Sequence, residues 1–82
     1  MDMLSLKNGE YGQIIAVNAK GEIRRRLLDM GVVKGAPFLM IRKAPLGDPI
    51  EIRIKRFNLS LRREEAAQIL VEKRSEPETN ES

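Results

Sequence analysis

The feature that most constrains this chain is a six-residue alternation behind a rigid turn. Ile50, Ile52 and Ile54 alternate with Glu51, Arg53 and Lys55, and Ala44-Pro45-Leu46-Gly47-Asp48-Pro49 runs directly before them. A period of two with one apolar and one charged face is a half-buried strand. Two prolines and a glycine within six residues mark a tight connector whose φ angles are largely preset. A strand of this kind must find neighbours, and in 82 residues there are few elements to supply them. A chain this short buries only about 60–65% of its unfolded surface. Small domains solve both problems by curling a short sheet on itself, which removes the exposed edges that nothing else could cover.

The remaining elements fit that solution. Leu4 and Leu6 suggest a short extended lead-in, followed by a turn at Lys7-Asn8-Gly9-Glu10. Tyr11 to Val17 is rich in β-branched residues, and Gly12 within it marks a bulge or a close backbone approach. The period changes at Glu22 to Met30, where Ile23, Leu27 and Met30 fall within about 60° on a helical wheel and are expected in the core. Glu22 suits the helix start, Glu22 and Arg26 are spaced for an ion pair, and Gly31 suits the residue after the helix end. Pro37 to Lys43 reads as a strand apolar on both faces, with Phe38 and Met40 on one and Leu39 and Ile41 on the other. Phe57 to Leu61 is another short strand, Arg62 to Ile69 a helical turn or two, and Leu70-Val71-Glu72 a closing strand. Both Phe38 and Phe57 are expected in the core. The result is a mainly β fold, a small barrel over residues 1–74 with one inserted helix and a short C-terminal helical turn. Residues 75–82 are Ser, Glu, Pro, Thr and Asn, the composition of a disordered polar tail.

Composition limits the chemistry. The chain has no histidine and no cysteine, so it lacks disulfides, the usual base for a serine nucleophile, and the usual ligands for zinc or iron–sulfur clusters. Ser5, Ser60, Ser75, Thr79 and Ser82 therefore have no activating partner, and Glu64-Glu65 read as a solvated pair. Neither G-x-G-x-x-G nor a P-loop occurs. No enzyme activity, cofactor or metal is expected. The N-terminus has no secretory pattern and the longest apolar run, Ala36 to Ile41, is far short of the roughly 20 residues of a membrane span. A cytoplasmic location is the expectation.

What remains is binding. The net charge of +3 is concentrated at Arg24-Arg25-Arg26 and at Arg53, Lys55, Arg56, Arg62 and Arg63. Arg26 borders the apolar stripe of its helix, where its stem can pack and its guanidinium can anchor a loop. Arg24 and Arg25 lie away from the stripe and are candidates for a phosphate or carboxylate on a partner. The pre-ordered turn with Pro45, apolar Leu46, Gly47 and Asp48 is a second candidate contact. RNA binding through Tyr11 with Arg53, Lys55 and Arg56 is conceivable, but a chain with three aromatic residues is poorly supplied with stacking platforms.

Four segments in order carry a family resemblance: Arg26-Leu27-Leu28-Asp29-Met30-Gly31, Val33-Lys34-Gly35, Ala44-Pro45-Leu46-Gly47-Asp48-Pro49-Ile50, and Leu59-Ser60-Leu61-Arg62 with Glu65-Ala66. Together they resemble the FeoA family, small accessory proteins of bacterial ferrous iron transport, over about Leu4 to Val71. The resemblance implies an SH3-like barrel in the cytoplasm that associates with FeoB, the membrane permease carrying a GTPase domain. An adaptor that shifts the permease's conformation or assembly is the expected role. Stimulation of the GTPase by Arg24 or Arg25 is an alternative, and an RNA-binding barrel is another. Related domains end DtxR-type repressors, but no helix-turn-helix precedes the barrel here, so that role does not transfer. No small-molecule substrate is implied, and contact with the membrane would come only through the partner.

Overall fold

The structure, a computed structural model, describes residues 1–75. Five strands and two short helices follow one another: β1 Tyr11–Val17, α1 Gly21–Asp29, β2 Pro37–Lys43, β3 Ile50–Ile54, β4 Phe57–Leu61, α2 Arg63–Ala66 and β5 Ile69–Arg74. They form one antiparallel sheet in the order β4-β3-β2-β1-β5. The expected small β-barrel with one inserted helix and a C-terminal helical turn is thus the observed architecture. The expected disordered tail falls at residues 76–82, outside the described residues, apart from Ser75.

The alternation in β3 does what its period dictates. Ile50, Ile52 and Ile54 are buried, while Glu51, Arg53 and Lys55 face outward. Strand β2 is apolar on both faces, with Phe38 and Met40 buried and Leu39 and Ile41 half-buried. The sheet curls so that these side chains meet Ile14, Leu61, Ile69 and Val71 in a single core. Gly12 marks a close approach: a Cβ there would lie 2.7 Å from the Phe38 ring and 2.8 Å from Leu6. The irregularity in β1 falls further along, between Ile14 and Ala16.

Helix α1 ends as Gly31 predicts. The Gly31 N–H donates to the Leu28 carbonyl and the Val32 N–H to the Leu27 carbonyl, both at 3.0 Å, with Gly31 at φ +96°. This is a Schellman closure, and the accompanying apolar contact comes from buried Leu27 and Val32.

Five local expectations are corrected. The N-terminal lead-in is not extended: Met3–Ser5 is a 3-10 turn, capped by the Asp2 carboxylate accepting from the Leu4 N–H at 2.9 Å. The turn drops both Met3 and Leu6 into the core, a spacing of three that a strand would split between faces. Ile23 is 37% exposed, because α1 enters the core through Leu27, with Leu28 and Met30 packed beside it. Phe57 is 63% exposed, since it begins the edge strand β4 directly after the β3–β4 turn. Glu65 is buried at 4% exposure rather than solvated, and Arg26 pairs with it instead of with Glu22. Last, the sheet is not closed by hydrogen bonds: β4 and β5 remain its two edges.

Candidate partner-binding surface

Both features singled out in the sequence are fastened to α2. In the turn between β2 and β3, the Gly47 N–H donates to the Ala44 carbonyl at 2.7 Å and the Ala44 N–H to the Pro49 carbonyl at 3.0 Å. The Asp48 carboxylate accepts from the Arg63 N–H at 3.1 Å, tying the turn to the start of α2. Gly47 adopts φ +82°, and a Cβ there would stand 2.9 Å from the Arg63 guanidinium. These restraints hold Leu46 at the tip with 91% of its surface in solvent. An apolar side chain displayed on an ordered loop costs little further entropy when a partner covers it.

On the other flank, Arg26 reaches from α1 to the buried Glu65. The second oxygen of Glu65 accepts from the Arg62 N–H at 3.0 Å, so both sides of the carboxylate are used. A buried carboxylate without such partners would be strongly destabilising. The three arginines therefore separate by position. Arg24 donates to the Val17 carbonyl at 2.5 Å, pinning α1 to the end of β1. Arg26 pins α1 to α2. Arg25 is exposed in a shallow hollow with Glu22, Ile23 and Asp29. Of the residues proposed from sequence, Pro45, Leu46 and Asp48 are exposed around the half-buried Gly47, Arg25 is free to meet a partner, and Arg24 is engaged with its own backbone.

A second concavity lies across the sheet. A cleft of about 460 Å³ is lined by Tyr11, Pro37, Phe38 and Leu39 on its apolar side and by Arg53, Lys55 and Arg74 on its basic side. The structure thus brings Tyr11, Arg53 and Lys55 together, and leaves Arg56 outside. Tyr11 is half-buried, and the exposed aromatic ring nearby in sequence is Phe57. Among the described residues, no group of three or more acids is placed to hold a metal ion, and no helix is long and apolar enough to cross a membrane.

Comparison with known proteins decides the family. The FeoA domain profile matches residues 1–73. This chain belongs to the FeoA family. It is 43% identical over 72 residues to an Fe(2+) transport protein A/Fe(2+) transporter FeoB fusion protein of Porphyromonas gingivalis, covering 88% of this chain but only 8% of that relative. The solution structure of FeoA from Chlorobium tepidum superposes with a TM-score of 0.86 at 40% identity, covering 96% of this chain and 75% of the other. The crystal structure of Stenotrophomonas maltophilia FeoA complexed with zinc, described as a prokaryotic SH3 domain protein, gives 0.77 at 29% identity, over 88% and 89% of the two chains. The SH3-like fold implied by the sequence resemblance is the fold of this FeoA chain.

The sequence missed Glu65 as a structural carboxylate and Arg24 as a structural arginine. A signal for the first was present: Glu65 stands three residues after Arg62 and precedes Ala66-Ala67, the place of a carboxylate that closes back on a helix start.

Proposed function

We propose that this FeoA chain is a non-catalytic cytoplasmic adaptor of ferrous iron transport that binds FeoB and alters its conformation or assembly. The observation that carries this is the Porphyromonas gingivalis fusion, in which a homologous domain and FeoB share one polypeptide. Joining two partners covalently raises their effective concentration to about the millimolar range, an advantage only where the two act together. The Leu46 turn, flanked by Pro45 and Asp48, and the Arg25 face of α1 are the contact candidates. They lie on two sides of α2 and present one apolar and one cationic anchor.

The test is capture. Tagged protein incubated with detergent extracts of iron-limited cells should recover a membrane GTPase permease. Leu46→Asp and Arg25→Glu should each weaken that capture by about tenfold, corresponding to about 1.4 kcal/mol, with unchanged circular dichroism. Recovery of no membrane GTPase would overturn the proposal. An arginine-finger role would draw on Arg25, because Arg24 is bound to Val17. A finger is worth about 10³–10⁵ in kcat, and under the adaptor proposal the Arg25→Ala variant leaves the permease's GTPase rate within about a factor of three.

A further inference from the structure

The two edges of the sheet are treated differently. The outer edge of β5 is covered: the Val71 N–H donates to the Met1 carbonyl at 2.8 Å, and Asp2 forms a bridge with Leu70. The strand then ends in charged Glu72-Lys73-Arg74. The outer edge of β4 has no such cover. Among the described residues, no backbone hydrogen bond beyond the β3–β4 ladder involves residues 57–61. The register pairs Ile54 with Phe57 across the Lys55-Arg56 turn, then Ile52 with Leu59 and Ile50 with Leu61. Pairs alternate in an antiparallel ladder, and the pair closing a two-residue hairpin is hydrogen-bonded. Phe57, Leu59 and Leu61 therefore spend their backbone groups on β3, while Asn58 and Ser60 direct theirs outward.

Exposed edges are ordinarily blunted by lysine, proline or a bulge. Phe57-Asn58-Leu59-Ser60-Leu61 contains no charge and no proline, and its register with β3 is unbroken. Exposed Phe57 and half-buried Leu59 add an apolar shelf. The charges stand at the ends, with Lys55 and Arg56 before the strand and Arg62 and Arg63 after it. We propose that the outer edge of β4 is a docking edge for an extended partner segment, apolar at its centre and acidic at both ends. Backbone pairing at Asn58 and Ser60 supplies affinity, and the flanking cations select the partner. A second copy does not satisfy this edge: antiparallel self-pairing about Leu59 sets Arg56 opposite the copy's Arg62, and like charges opposite one another are destabilising. Nor does the segment 76–82 of this chain, which is acidic but has no large apolar residue. The proposal does not depend on the identity of the permease.

The probe is a synthetic peptide of alternating valine and threonine flanked at each end by paired glutamates, titrated into the full-length ¹⁵N-labelled chain. Hydrogen exchange at the Asn58 and Ser60 amides should slow by about tenfold at saturation, and a lysine-flanked peptide should bind about tenfold more weakly. Ser60→Pro removes an outward N–H that the ladder does not use, so it should keep the fold and lose the peptide. Should that variant fail to fold, the double variant Arg56→Glu/Arg62→Glu, both exposed, should reverse the preference between the two peptides. Equal affinity for both peptides, shifts confined to the Tyr11–Arg53 cleft, or protection of Asn58 and Ser60 rising with protein concentration alone would each overturn the proposal.

Discussion

Gly12 has no side chain because no space exists for one. Its hydrogen points at the Phe38 ring and Leu6, both buried, so neither can swing away into solvent. Gly12→Ala should cost about 1–3 kcal/mol through overpacking, read as a lowered urea midpoint with unchanged slope. Glu10 is a second point of leverage. Its carboxylate accepts the Lys7 N–H at 2.8 Å and pairs with the Lys73 ammonium at 2.8 Å. These contacts, the backbone hydrogen bond foremost, hold its pKa below the ordinary glutamate value. A depressed folded-state pKa contributes stability that is present above the unfolded pKa and lost as pH falls through the folded one. Glu10→Gln should therefore be less stable than the parent near neutrality, with the two denaturation midpoints converging in acid. Midpoints that stay parallel across that range would refute the assignment.

Among the elements, α2 is small in length and large in connection. Its four residues join the Leu46 turn through Asp48 and α1 through Arg26. Arg26→Ala strands a buried carboxylate and should cost about 1–3 kcal/mol, below a fully buried pair because the arginine side is half in solvent. Adding Glu65→Gln should recover part of that loss, a coupling that a double-mutant cycle measures directly. Elements were also where the sequence spoke most clearly. The β3 alternation, the two-proline turn and the Gly31 helix end are signals carried by neighbouring residues, and all three hold. Glu65 and Ile23 depart from expectation because burial of a single side chain depends on which element lies across from it, and the Arg24 hydrogen bond to Val17 depends on where β1 ends beside α1. Phe57 departs from expectation because an aromatic ring in a strand reads as core unless that strand is known to be an edge. For the binding surface, the exposure of Leu46 was legible from its place between two prolines, and the freedom of β4's edge was not.

Over the whole molecule, the sheet depends on residues distant in sequence. Met3 and Leu6 fill the core from outside any strand. Deleting residues 1–6 removes both, a loss of about 2–5 kcal/mol each by comparison with large-to-small core substitutions, against a total stability of about 5–15 kcal/mol for a domain. The truncated chain should be largely unfolded by circular dichroism; a cooperative transition near the parent midpoint would show that the 3-10 turn is dispensable. The Met1–Val71 pairing has a further consequence in time. Met1 must wait for Val71, seventy positions later in the chain, before either finds its partner. Until β5 has emerged, β1 has only β2 beside it. Folding of this domain thus closes with a latch, and the sheet of a nascent chain is completed only once β5 has emerged, so that a slow stretch of translation near that strand would postpone it.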